Sequence, residues 1–186
     1  MIQSLARITD DELYEVVNGE RVVKPMGTYE NVLAGDLHGH LRDYARASRN
    51  GRAAIEVLFD LPDMANDRRP DVSFVSFDRW PEARGIPQTN AWAVAPDLAV
   101  EVVSTNDDFR DVLGRVSEYF RAGVRLVWLV VPDEELVYSY TARTAVRIFA
   151  RGDDLTGDPV VPGFRLAVND LFPLPYTPDE IPEAAP

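Results

Sequence analysis

The stretch "PDLAVEVVS" (Pro96–Ser104) decides how the rest of the chain is read. In an extended strand Leu98, Val100 and Val102 share one face, while Asp97, Ala99, Glu101 and Val103 share the other. The aliphatic set marks a core strand. Glu101 then faces away from that set, beside the small Ala99, and burial of an unpaired carboxylate is expensive. Something must compensate it, either an arginine salt bridge or a cation, and the alternation alone leaves both open.

Outward from this strand, "STNDD" supplies capping side chains for a helix from about Asp108 to Ala122, and Gly123 stops it. "VRLVWLVV" (residues 124–131) follows as a nearly continuous apolar run, the pattern of a strand covered on both faces. Strand, helix and strand in this order imply a crossover between neighbouring strands of one sheet. Upstream, "RAAIEVLFDL" (residues 52–61) and "DVSFVSF" (residues 71–77) read as strands linked by the polar "PDMANDRRP". Before them Val32, Leu33, Leu37, Leu41 and Tyr44 recur at helical spacing between Tyr29 and about Arg49. "LYEVVNGERVVK" alternates around Asn18-Gly19, which predicts a hairpin with strands at about 13–17 and 20–24. "ELVYSYT", "AVRIFA" and "FRLAV" read as the last strands. The expected fold is α/β: a mixed central sheet flanked by helices, with N-terminal and C-terminal β-hairpins.

At 186 residues and 46% hydrophobic content, the chain suits one domain, expected over residues 1–172. The proline-rich, acidic "PLPYTPDEIPEAAP" (residues 173–186) is expected to be a disordered tail. No run of about 18 apolar residues occurs, and the acidic N-terminus does not resemble a signal peptide, so a cytoplasmic protein is expected. The absence of cysteine excludes a disulfide framework, a thiol nucleophile and a thiolate metal site, so any metal here is a hard one. The net charge of −12 opposes broad attraction to nucleic acid. A local patch could still supply it, since Arg42, Arg46 and Arg49 fall at i, i+4 and i+7, followed by Arg52, but the preferred reading of these residues is a solvated helix face. Lys24 is the only lysine among 19 basic residues.

A metal ion needs carboxylates converging from different strands, because Asp97 lies roughly 13 Å from Glu101 along one strand. Asp71, which opens a strand after Pro70, is the candidate partner of Glu101, and Glu56, an acid interrupting "AAIEVLF", is a third candidate. His38 and His40 lie two apart on a helix and point to different sides, which makes them poor co-ligands. Ser104 has no histidine nearby in sequence to activate it and is expected to help cap the helix. The three tryptophans read as packing residues.

"RPDVSFV", then "PDLAVEVVS", then "DVLGRVSEYFRAGVRLVWLVVPDEELVYSY", with "YEVVNGERVVKPMG" before and "PGFRLAVNDLF" after, together resemble the Uma-two family of restriction endonucleases, a branch of the PD-(D/E)XK superfamily. The resemblance implies a restriction-endonuclease-like fold and a DNA endonuclease. Asp71 and Glu101 would take the two acidic positions and hold Mg²⁺ or Mn²⁺. It also implies that the superfamily lysine, absent at Val103, has moved onto the following helix, where the matching residue is Arg115. On that helix Phe109, Val112, Leu113, Val116 and Phe120 make the expected core stripe, and Asp111, Arg115 and Tyr119 an adjoining line from which Arg115 reaches toward Glu101. Arginine stabilises anionic charge but is not a general base. The alternative is a non-catalytic module that keeps the fold and binds nucleic acid or protein. A two-fold homodimer is expected through the tyrosine-bearing hairpin "ELVYSYTARTAVRIF".

Overall fold

A computed structural model of the chain describes residues 13–24, 26–105 and 107–173. In chain order the elements are β1 (Tyr14–Val17), β2 (Glu20–Val23), α1 (Thr28–Ser48), β3 (Gly51–Ile55), β4 (Phe59–Asp60), β5 (Asp67–Arg68), β6 (Val72–Ser76), β7 (Leu98–Val102), α2 (Phe109–Arg121), β8 (Leu126–Val131), β9 (Leu136–Ala142), β10 (Ala145–Phe149), β11 (Asp154–Gly157), β12 (Val161–Ala167) and α3 (Val168–Leu171). The segment 96–104 supplies β7, an interior strand of a six-stranded mixed sheet in the order β10-β9-β8-β7-β6-β3. β7 pairs antiparallel with β6, through Val72↔Val100 and Ser73↔Ala99, and parallel with β8 after the crossover through α2. The expected strand-helix-strand unit is therefore present.

The alternation along β7 divides the core in two. Leu98, Val100 and Val102 join Val72, Phe74 and Trp128 beneath α1, whose Leu33, Leu37 and Leu41 are fully buried. Each such leucine contributes about 1.5–3 kcal/mol relative to exposure. Ala99 lies on the opposite face with Val75, Val127 and Leu129, covered by Val112, Val116 and Tyr119 of α2 and by Phe59 and Trp92. On α2 the expected stripe is shifted: Phe109, at the frayed first turn, is 73% exposed, while Tyr119 is buried completely. Asp108 caps this helix, its carboxylate accepting from the Arg110 amide. Ser104 instead donates its amide and hydroxyl to Asp107.

Two further readings are corrected, one by backbone geometry and one by side-chain packing, and the N-terminal hairpin is found as expected. Residues 52–61 are not one strand: Glu56 adopts a left-handed conformation (φ 53°) that ends β3, and β4 begins only at Phe59. The Asn18-Gly19 hairpin forms, with φ of 53° and 82° at its two turn residues. It leaves the central sheet and builds a four-stranded one, β2-β1-β5-β4, using a short strand inside the supposed link. Tyr138 and Tyr140 are not presented on the surface but pack, half-buried, against the α2 side of the core. A small sheet of β11 and β12 was not anticipated. The expected tail lies almost wholly outside the described residues. Among the described residues no helix is long and apolar enough to cross a membrane.

The small N-terminal sheet is fixed to α2 by charge. Arg68 of β5 meets Glu15 of β1 and Glu118 of α2, each at 2.7 Å, and Asn66 donates to the other Glu118 oxygen at 3.1 Å. Arg68 and Glu15 are buried, so the contacts are well shielded from water. Their consequence is positional: they set the end of β2 against the helix that carries Arg115 and Tyr119.

Candidate active site

The β6–β7 register carries Asp71 to the level of Glu101 on the α2 side of the sheet. Both residues are 1% exposed. Asp71 Oδ2 accepts the Val102 amide at 2.6 Å, and Glu101 Oε1 accepts the Tyr119 hydroxyl at 2.5 Å. The remaining oxygens face a cation. Lys24, directly after β2, places Nζ 2.7 Å from Asp71 Oδ1 and 3.3 Å from Glu101 Oε2, and donates to the Arg69 carbonyl at 2.6 Å. The Lys24 ammonium is therefore the group that meets Asp71 Oδ1.

Arg115 reaches Glu101, as its place on the flank of α2 predicts, with Nε 3.5 Å from Oε2 and Nη2 3.2 Å from Asp107 Oδ1. It does not pair with the exposed Asp111 of its own helix. A cavity of about 220 Å³ opens over these groups; Lys24, Asp71, Glu101, Ser104, Asp107 and Arg115 line it, with Glu15 and Glu30 at its margin. Acids therefore outnumber bases in the lining, which leaves an electrostatic demand for positive charge.

Burial raises the Asp71 pKa to about 6, against the pull of Lys24 and with the push of Glu101. For Lys24 burial opposes the charge, but Glu101 and Asp71 outweigh it and raise the pKa. The same balance, with Glu101 and Asp107 as the anions, raises that of Arg115. Burial, followed by the Glu101 charge, lifts Tyr119 well above its ordinary value, so it remains a neutral donor.

Glu56 is not drawn into this cavity. Its amide donates to the Asp71 carbonyl at 3.1 Å, but its left-handed backbone sends the carboxylate into an adjoining cavity with Arg69 and Trp92. Both Glu56 oxygens are buried without a partner, and burial raises the pKa to about 7. His38 is half-buried elsewhere on α1, and burial, then the Arg42 charge, keeps it below its ordinary value. Among the described residues no three acids or histidines converge into a complete metal cage. Two carboxylates that one ammonium already spans do suit a hard cation, since Mg²⁺ usually takes one or two carboxylates and fills its shell with water and substrate phosphate.

Lys24 and Tyr119 are the residues that sequence reasoning did not assign to the site. Tyr119 lay on the Arg115 line, where its spacing marked it. Lys24 is 77 residues from Glu101 in the chain, and only its being the sole lysine set it apart.

Comparison with known proteins gives the family and the fold. The model of the Uma2 family, described as "putative restriction endonuclease", matches residues 2–169. The crystal structure of a "putative nuclease belonging to DUF820" from Anabaena variabilis superposes with a TM-score of 0.73 at 22% identity, covering 86% of this chain and 89% of that one. No curated protein matches the chain.

Proposed function

The chain belongs to the Uma2 family of restriction endonucleases, and from that membership and the Asp71–Glu101 pair we propose a divalent-cation-dependent endonuclease that hydrolyses phosphodiester bonds in DNA. The observation that carries the reading is a pair of fully buried carboxylates from adjacent strands, bridged by one ammonium at the floor of an acid-rich cleft. Asp71 and Glu101 would hold Mg²⁺ or Mn²⁺, which when bound polarises a scissile phosphate and lowers the pKa of an attacking water.

The remaining groups have separable roles. Tyr119 fixes the Glu101 carboxylate by donating to one oxygen, which leaves the other directed at the cleft. Lys24 and Arg115 bring two basic side chains to the acid pair, where they can stabilise charge on the phosphoryl oxygens, and arginine, unlike lysine, is not a general base. Lys24 is held by the Arg69 carbonyl, and Arg115 is braced by Asp107. A two-fold dimer, by which one site per chain can address both strands, would use the free edge of β10, where Val146 and Ile148 are about half exposed. Light scattering at micromolar concentration tests it: a dimer mass supports the arrangement, a monomer mass removes it.

One observation favours a second reading. Lys24 and Arg115 already offset the acid pair, as they would in a module that keeps the fold and binds nucleic acid or protein without cutting. Incubation with supercoiled plasmid in Mg²⁺ and in Mn²⁺ separates the two. The nuclease produces nicked or linear DNA, abolished by EDTA and by Asp71→Ala. Intact plasmid in both metals, or equal cleavage by Asp71→Ala, supports the binding module instead.

A further inference from the structure

We propose that the phosphate backbone of duplex DNA lies in a basic groove formed by Arg42, Arg46, Arg49 and Arg52 and runs from it along the outer edge of β3 past Arg69 to the acid pair. The proposal rests on the reading of that pair as a nuclease site. It begins with charge: in a chain of net charge −12, residues 42–52 hold four arginines and one acid. Phosphate neutralisation supplies most non-specific DNA affinity, so a chain this acidic needs a local concentration of cations to approach DNA at all.

The fold provides that concentration from two elements. Arg42 and Arg46 stand one turn apart on α1, Arg49 ends the helix in a left-handed conformation (φ 51°), and Arg52 returns on β3. All four line one open groove of about 530 Å³, in which Glu82 is the sole acid of the lining. Their charge is little used internally. Arg46 and Arg49 enter no ion pair among the described residues, and Arg42 meets only Asp43, at 3.7 Å between two exposed side chains. Arg52 donates to the Glu82 carbonyl at 3.2 Å and lies 4.8 Å over the Phe77 ring. Attraction of basic side chains to the C-terminal end of a helix accounts for Arg46 and Arg49. It does not account for Arg52, on another element and in the same groove.

The second observation is that the groove adjoins a cavity reaching Arg69, whose carbonyl meets Lys24 of the active site. Arg52 also lines the adjoining cavity of about 330 Å³, whose other walls include Ala54, Glu56, Arg69 and Trp92. β3 is the edge of the six-stranded sheet, so no further strand blocks this path. Arg69 stands at its far end, donating to the Glu56 carbonyl, and its own carbonyl accepts from Lys24 in the active site. From Arg52 to Glu56 the strand covers roughly 13 Å, about four base-pair steps at 3.4 Å each. Glu56 is the acid most opposed to a passing phosphate. Its two carboxylate oxygens are buried, which keeps them from direct contact with that phosphate.

The test is fluorescence anisotropy of a labelled 20-bp duplex with the full chain in EDTA, where no cleavage occurs, across 50–200 mM salt. Arg46→Ala/Arg49→Ala is compared with wild type and with a distant exposed control, Arg165→Ala, after circular dichroism melts confirm folding. The groove predicts a log–log salt slope smaller by about 2 for the double variant, with affinity at least about tenfold weaker at low salt and the control unchanged. Unchanged affinity and slope, or a loss equal to that of Arg165→Ala, overturns the groove while leaving the nuclease reading intact. Absence of wild-type binding, or preference for an RNA duplex of the same sequence, also overturns it. Arginine-dependent DNA binding by a wild type that fails to cleave in Mn²⁺ supports the groove and removes the nuclease.

Discussion

The two ends of β7 each bury an acid to the same extent, and they treat it differently. At the start, Asp97 Oδ1 receives Arg125 at 2.7 and 3.0 Å and Arg79 at 3.1 Å, while Oδ2 accepts the Ser76 amide at 2.6 Å. Arg79 also holds the carbonyls of Ala95 and Gly123, so the whole corner is tied together. At the other end two carboxylates, Asp71 and Glu101, share a single ammonium and a guanidinium 3.5 Å from Glu101. Burial alone therefore does not mark a functional acid. The number of donors per carboxylate separates a structural centre from one that still demands a cation.

The largest expected effect breaks the comparison at the site end. Asp71→Asn or Glu101→Gln should lower Mn²⁺-dependent plasmid cleavage roughly 10³-fold, the several kcal/mol of lost charge stabilisation. Thermal melts of the same variants should show little loss of stability, because a buried charge is removed with its demand. Asp97→Ala should do the reverse: about 1–3 kcal/mol of stability lost in urea unfolding, from the Ser76 amide left without its acceptor and the lost contacts to partly solvated guanidiniums, with the turnover of the folded fraction retained. Equal behaviour of the two ends in both assays would end the distinction.

Lys24→Met sharpens it next. With Asp71 left without a cation and Glu101 with Arg115 alone, stability in EDTA should fall by about 2–3 kcal/mol and recover on addition of Mn²⁺, more than wild type gains. A variant insensitive to Mn²⁺ would show that the ammonium and a cation do not serve the same oxygens. Arg115→Ala should cost about 10- to 100-fold in cleavage, and Arg115→Lys should preserve most of the rate because the charge beside Glu101 is kept. An unchanged rate in Arg115→Ala would remove that residue from the chemistry.

The smallest effect is in pH. Glu56 and Asp71 have folded pKa values raised to about 7 and about 6, so the native state holds protons that the unfolded chain has already released. Stability should therefore decline as pH rises from about 4.5 toward 7. Glu56→Gln should flatten that slope by on the order of 1 kcal/mol, after allowance for solvent screening. A slope unchanged in Glu56→Gln would show that its carboxyl titrates as if exposed.

Much of the architecture was legible because single residues interrupt strong periodicity. Glu101 stands out of an apolar alternation, Asp71 follows a proline at a strand start, and the Arg115–Tyr119 spacing lies along one side of α2. What was not legible depends on long-range contacts or on backbone turns. Lys24 reaches Glu101 across 77 residues, through a hairpin docked by Arg68, and no spacing rule encodes that. Glu56 reads as a mid-strand acid until its left-handed φ turns it away, and neither glycine nor proline marks the break. Asp97 could be separated from Glu101 by distance, but its partners Arg79 and Arg125 come from the loop before β7 and the end of the crossover. The i, i+4, i+7 arginines were visible, whereas their meeting with Arg52 required the helix to turn back onto β3.

The most direct test of the difference between the two ends of β7 is Mn²⁺ binding itself, counted by electron paramagnetic resonance on the full chain with a 20-bp duplex present. The account predicts a site that binds Mn²⁺ in wild type and in folded Asp97→Asn, and that is lost in Asp71→Asn and in Glu101→Gln. Mn²⁺ bound equally by the Asp71 and Glu101 variants, or not bound by the wild type, would contradict it.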